Sequence, residues 1–230
     1  MLLGTIVNAF SIVVGAVVGA LLKKGLPDRY KNTVLQGLAI AVIVIGLQMA
    51  LQTKNVLLVV LSLVLGGLTG EFLQIEDRLA SFGKRAEKLF GDLGGSFTRG
   101  FVTASLVYCV GAMGIVGSIQ AGITGNQSTL YVKSLLDGTT SIVFASTLGI
   151  GVALSALPVL VYQGAVTLLA EYLQGILTQA VITELTATGG VLIMGIGIKL
   201  LEIKDIRVGN LLPAVGYAVL LAALLPGSFL

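Results

Sequence analysis

The chain has 230 residues, 56% of them hydrophobic and only 11% charged, and its 14 Lys and Arg against 11 Asp and Glu leave a net charge of +3. Soluble domains carry about a quarter charged residues, so a soluble globular fold is excluded, and a pI of about 9.0 reads as membrane topology, not nucleic-acid binding. With no histidine, a histidine proton relay, a histidine metal site and a Ser/His dyad are excluded, and the single cysteine, Cys109, excludes an internal disulfide.

Apolar blocks near the length that crosses hydrocarbon, roughly 20 residues, predict an all-α bundle of about eight transmembrane helices in one integral domain, residues 1–230. The first, Leu3–Leu22, holds Asn8 and the pair Gly15/Gly19. Lys23 and Lys24 follow the apolar run, an order that favours a retained first helix over a signal peptide. The second, Val34–Leu51, holds Gln48. The third, Val56–Leu73, holds Gly66/Gly70. Glycines four apart let membrane helices pack closely.

From Ile75 to Leu93 the pattern changes. Ile75, Leu79, Phe82, Ala86, Leu89 and Leu93 step by three and four, while the other faces carry Glu76, Asp77, Arg78, Lys84, Arg85, Glu87, Lys88 and Asp92. That spacing predicts an amphipathic helix over 75–93 on the inner membrane surface, ended by Gly91, Gly94 and Gly95. A linker packed on the bundle and a regulatory or partner-binding element both fit it.

The fourth span is Phe97–Ser118, where Gly111, Gly114 and Gly117 step by three and predict flexible backbone, bent or unwound. The fifth, Ser134–Leu157, and the sixth, Pro158–Leu173, run together. Pro158, after the small Ser155 and Ala156, supplies the turn, because proline suits the first turn of a helix and disfavours helix just before it. The seventh is Thr186–Leu201 and the eighth Val208–Leu225.

Lys and Arg test this count. With the N-terminus outside, inner loops hold Lys23, Lys24, Arg29, Lys31, Arg78, Lys84, Arg85, Lys88, Arg99, Lys199, Lys204 and Arg207, and outer loops only Lys54 and Lys133. The positive-inside rule thus favours eight spans with both termini outside. Gly46-Leu-Gln48 also lines up with Gly197-Ile-Lys199, and Val13-Val-Gly15-Ala-Val17 with Tyr162-Gln-Gly164-Ala-Val166, at offsets near 150. Five spans between the copies would reverse their orientation, an inverted repeat of the kind many secondary transporters use.

Asp137 is the most suggestive ionisable residue. It has two readings: a helix cap with an exposed Lys133–Asp137 pair, or a carboxylate facing a cavity, where it would be a ligand to a bound alkali cation. Ser134, Asp137 and Ser141 share one helical face, with Thr140 and Thr147 beside it. Their oxygens suit alkali cations and small polar solutes, although Ser and Thr also join membrane helices. Asn8, Gln48 and Gln163 lie inside spans and need partners, since an unpaired amide in hydrocarbon costs several kcal/mol. Tyr162 adds a wall beside Gln163. Asn8 and Gln163 are expected at the Asp137 site, with Lys133 at its outer mouth.

The chain resembles the YqgA/YdfK-like family of prokaryotic polytopic membrane proteins, a domain of unknown function. The resemblance rests on Gly4-Thr-Ile-Val-Asn8, Gly111-Ala-Met-Gly-Ile-Val-Gly-Ser118, Lys133-Ser-Leu-Leu-Asp-Gly138, Phe144-Ala-Ser146, Val161-Tyr-Gln-Gly164 and Gly209-Asn-Leu-Leu-Pro-Ala214. It covers nearly the whole chain and implies a prokaryotic plasma or inner membrane.

These readings converge on a transporter or channel for an ion or small polar solute. The alternative is a structural or partner-binding membrane protein without transport. An enzyme is not expected, because no histidine, two-metal carboxylate cluster or pair of intramembrane aspartates is present, and no cofactor is implied. The expected partners are the bilayer, the solute and, through small-residue faces such as Gly66/Gly70, a homodimer, although those faces could equally be filled within one chain.

Overall fold

The computed structural model of the chain describes residues 1–23, 28–90, 97–109 and 112–224. Among them every regular element is helical. In order these are α1 (Leu3–Lys23), α2 (Asp28–Ala50), α3 (Val56–Leu73), α4 (Ile75–Phe90), α5 (Phe97–Cys109), α6 (Ala112–Ile123), α7 (Ser128–Leu148), α8 (Gly151–Leu154), α9 (Ala156–Leu168), α10 (Ala170–Gln174), α11 (Gln179–Leu200) and α12 (Pro213–Leu224), with a 3-10 turn at Val208–Leu211. Five segments are long and apolar enough by themselves to cross a membrane: Leu3–Leu22, Asn32–Ala50, Val56–Leu73, Gly151–Leu168 and Gln179–Leu200. The pair α5 and α6 adds a sixth, and Val208–Leu224 is apolar but shorter. Helix α7 has 21 residues, about 30 Å at the helical rise, yet it carries Lys133, Asp137 and a run of hydroxyls. The molecule is a polytopic helical membrane protein.

Element ends follow local chemistry. Asn55 caps α3 by accepting from the Leu58 N–H at 3.0 Å, and Thr178 caps α11, which begins at Gln179 and not at the predicted Thr186. The break between the fifth and sixth spans is not at Pro158. It falls at Gly149, whose φ of 89° suits glycine and disfavours other residues. Pro158 sits in the first turn of α9, where the ring costs little. The fourth span is two helices whose axes differ by 59°. Gly114 and Gly117 lie within α6 as regular helix, so the change of direction precedes them. Gly111 lies outside the described residues, as do Gly91, Gly94 and Gly95.

The helices form two compact units. The first holds Met1–Leu38, Leu79–Cys109 and Met113–Glu171. Its centre is the pairing of α1 with α7. A Cβ on Gly15 would lie 2.1 Å from the Gly138 carbonyl oxygen, and one on Gly19 would lie 2.2 Å from that of Ile142. Gly4 meets Gln127 and Leu130. Contacts rise together along both helices, so they run parallel with backbones in near contact. Helix α4 packs on α5, with Gly83 against Thr98 and Phe101, the Phe82 and Phe101 rings 5.7 Å apart, and Thr98 donating to Glu87 at 3.0 Å. Its Arg78, Lys84, Arg85 and Lys88 are exposed.

The second unit holds Ala39–Arg78 and the chain from Tyr172 onward. Gly46 and Gly190 bring α2 and α11 together, a Cβ on Gly46 falling 2.6 Å from the Gly190 oxygen. Gly66 and Gly70, the face expected to call for a second copy, are filled from within the chain. Cβ atoms there would lie 2.3 Å from the Ala214 nitrogen and 1.8 Å from the Asn210 oxygen. At the same end Glu76 accepts from Lys199 and from the Gly209 N–H, while Asn210 donates to Glu71 at 2.6 Å. Lys199 also pairs with exposed Asp205 at 3.0 Å and, by that hydrogen bond, holds its carboxyl below the usual range.

Candidate polar site on helix α7

Helix α7 starts where the Asn126 side chain accepts from the Ser128 N–H at 3.0 Å and hydroxyl at 2.7 Å. Beginning at Ser128 and not Ser134, it takes in Lys133, which the sequence reading placed in an outer loop. Lys133 is 5% exposed and Asp137 is 7% exposed. One helical turn apart, they close an ion pair, with Lys133 Nζ 2.8 Å from Asp137 Oδ2 and 3.1 Å from Oδ1. The reading of Asp137 as an exposed cap pair therefore does not describe the structure.

Two further helices contribute amides. Asn8 of α1, fully buried, donates from Nδ2 to Asp137 Oδ2 at 3.0 Å and to Gln163 Oε1 of α9 at 3.4 Å. The parallel packing of α1 on α7 sets Asn8 at this level, between Gly4 and Gly15. Helix α6 supplies the remaining wall. A Cβ on Gly114 would lie 3.5 Å from Lys133 Cε, 3.5 Å from Tyr162 Cε1 and 3.7 Å from Gln163 Nε2, so there is room for a methyl group among these three side chains.

The hydroxyls divide. Ser134 is buried but donates to the Leu130 carbonyl at 2.7 Å. Ser141 is bonded to the Tyr108 hydroxyl of α5 at 2.8 Å. Thr140 is half-buried and donates to the Leu136 carbonyl at 2.6 Å. The structure therefore gathers Asp137, Lys133, Asn8 and Gln163 directly, brings Tyr162 beside them, and leaves Ser134, Thr140 and Ser141 engaged elsewhere. Gly117 packs against Leu130 and Thr129. Gln48 lies on α2 in the second unit.

Several buried polar atoms of the first unit make no hydrogen bond to protein: Thr5 Oγ1, Asn8 Oδ1, Ser118 Oγ, Gln163 Nε2 and Thr167 Oγ1. Such atoms are uncommon in folded interiors and call for an explanation. Two of them, Asn8 Oδ1 and Gln163 Nε2, belong to residues that surround the ion pair. No cluster of three or more acidic, cysteine or histidine side chains with metal-holding geometry exists among the described residues.

Sequence reasoning missed Glu184. It is buried on α11, where it accepts from Thr53 Oγ1 at 2.5 Å and the Lys54 N–H at 2.7 Å. Its carboxylate ties down the turn between α2 and α3. A lone acidic residue at the head of an otherwise apolar run was the available signal.

The family model "Protein of unknown function (DUF554)" matches residues 3–223. The chain is 34% identical over 215 residues to the "Uncharacterized membrane protein YdfK" of Bacillus subtilis (strain 168), covering 92% of this chain and 91% of that protein. It is 31% identical over 228 residues to the "Uncharacterized protein YqgA" of Escherichia coli (strain K12), covering 97% of each. No solved structure matches.

Proposed function

The chain belongs to the DUF554 family of membrane proteins, and from that premise we propose that it is a transporter or channel for an ion or small polar solute, with its site at Lys133 and Asp137. The observation that carries this reading is the ion pair itself. It is buried within a bundle of apolar helices and approached by amides from two other helices. Ionisable residues at membrane depth are expensive and mark solute, ion or proton pathways. Asp137 already faces an ammonium on both oxygens, so a bare alkali cation would have to displace Lys133. A small polar solute is the better fit.

The finer features of this reading are an inverted repeat relating spans one and two to spans six and seven, both termini outside, and residence in a prokaryotic plasma or inner membrane. With Gly66/Gly70 occupied internally, a homodimer would need another face. The partner-binding alternative draws on the exposed basic side chains of α4.

Flux into proteoliposomes across a panel of cations and small solutes tests the proposal. One solute should move faster than in protein-free vesicles, and Asp137→Asn should abolish that flux while insertion and folding persist. Flux indistinguishable from empty vesicles for the whole panel would leave the structural reading in its place.

A further inference from the structure

We propose that the exposed face of α4 is a binding surface for the headgroups of anionic phospholipids. It is independent of transport and uses none of the residues of the α7 site.

Chain continuity places α4 at the edge of the bilayer. It begins at Ile75, with one residue, Gln74, between it and the end of the membrane helix α3 at Leu73. It then packs on the first turns of α5, the helix that opens the next span. A Cβ on Gly83 would lie 3.1 Å from Thr98 Cγ2 and 3.2 Å from Phe101 Cδ1. A helix that joins the end of one span to the start of the next stays on one face of the membrane.

Between Leu79 and Phe90 the charged residues are Lys84, Arg85, Glu87 and Lys88. Ser81, Lys84, Arg85 and Lys88 step by three and four, so they form one stripe, and all four are exposed. Glu87 lies on another side of the helix, half-buried, where it accepts from Thr98 at 3.0 Å. The stripe therefore carries three positive charges and no negative one. Like charges three and four residues apart on a helix repel one another. Lys199 and Arg207 are answered within the chain, Lys199 by Glu76 and Asp205 and Arg207 by Glu71 and Asp77. Among the described residues no carboxylate pairs with Lys84, Arg85 or Lys88 in this way.

The counter-charge that fits this place is the phosphate of a lipid headgroup. At the bilayer edge it is a concentrated, fixed source of negative charge, and each Lys or Arg near such a surface adds to the attraction. Long basic side chains can lay their apolar stems along the interface and keep their charged ends at headgroup level. Phe82 supports the same placement. Its ring packs on Phe101 with centroids 5.7 Å apart, yet it is 46% exposed, one turn before Arg85. A half-exposed aromatic flanking a basic stripe is the composition of a helix that lies in the interface.

The test uses the full chain with Cys109→Ser and a bimane fluorophore on Ser81→Cys, reconstituted in phosphatidylcholine bilayers with a graded fraction of brominated lipid. Brominated phosphatidylglycerol should quench the label at a mole fraction lower by about fivefold or more than brominated phosphatidylcholine, since one engaged basic residue is worth about that factor. Changing Lys84, Arg85 and Lys88 together to Gln should bring the preference close to one. The exchange Lys84→Arg, Arg85→Lys and Lys88→Arg should keep it. In the parent it should fade at about 1 M salt, where the screening length falls to about 3 Å. Inorganic phosphate, at the total concentration of the phosphatidylglycerol, should leave the quenching unchanged. Equal quenching by the two lipids in the parent, a preference that survives in the triple Gln variant, or one unmoved by salt would each overturn the proposal. Reversal by inorganic phosphate would assign the stripe to a soluble phosphate and overturn the lipid assignment. A label on Lys54→Cys, before the other end of α3, should show no preference. The same preference there would place the effect in the bilayer at large, and the proposal would fall.

Discussion

Asn8 and Asp137 lie 129 residues apart in sequence, and the Asn8 amide donates to the Asp137 carboxylate at 3.0 Å in a buried setting. The bond links the first membrane helix to α7. It also leaves the opposite atom of the same amide, Oδ1, without a protein partner.

Removing one member of the buried pair should cost more than removing both. Lys133→Met leaves the Asp137 charge uncompensated and should destabilise by about 3–5 kcal/mol. Lys133→Met combined with Asp137→Leu removes both charges and should recover most of that loss. Unfolding of the detergent-solubilised protein measures the difference. A double variant no more stable than the single one would mean that the pair contributes nothing as a pair.

Glycine substitutions should separate close backbone contacts from open positions. Gly15→Ala forces a Cβ to within 2.1 Å of the Gly138 oxygen and should lower stability by about 1–3 kcal/mol or more through helix displacement. Gly37→Ala, in α2 with nothing within 4 Å, should stabilise by about 0.4–1 kcal/mol. Thermal unfolding of the two variants should move in opposite directions.

Glu184→Ala strips the Thr53 hydroxyl and the Lys54 N–H of their shared acceptor and should cost about 1–3 kcal/mol. Glu184→Gln keeps an acceptor oxygen and should cost less. Equal losses for the two, measured by chemical unfolding, would argue against the carboxylate's role in fastening the turn.

Topology can be read by thiol labelling from outside in a Cys109→Ser background. Lys54→Cys should react and Lys84→Cys should not, both positions being exposed on the molecule. The reverse pattern would turn the protein over in the membrane.

The sequence alone determined that the chain is a polytopic helical membrane protein and where most of its apolar helices lie. Membrane spanning depends on apolar length and charge, and both are local properties, legible in runs such as Leu3–Leu22 and Val56–Leu73. The polar residue types at the site were equally visible, because Lys133, Asp137, Asn8 and Gln163 stand out against apolar surroundings. Only the tertiary structure decided which of them meet. Contact depends on how each helix is rotated and which helix it packs against, and neighbours distant in sequence set both. For that reason Ser134 and Ser141, on the same face as Asp137, bond to the Leu130 carbonyl and to Tyr108 instead. Gly66 and Gly70, legible as a close-packing face, gave no sign that Ala214 and Asn210 of the same chain would fill it. The break at Gly149, read from sequence as a break at Pro158, was decided by a backbone angle that glycine permits but does not require.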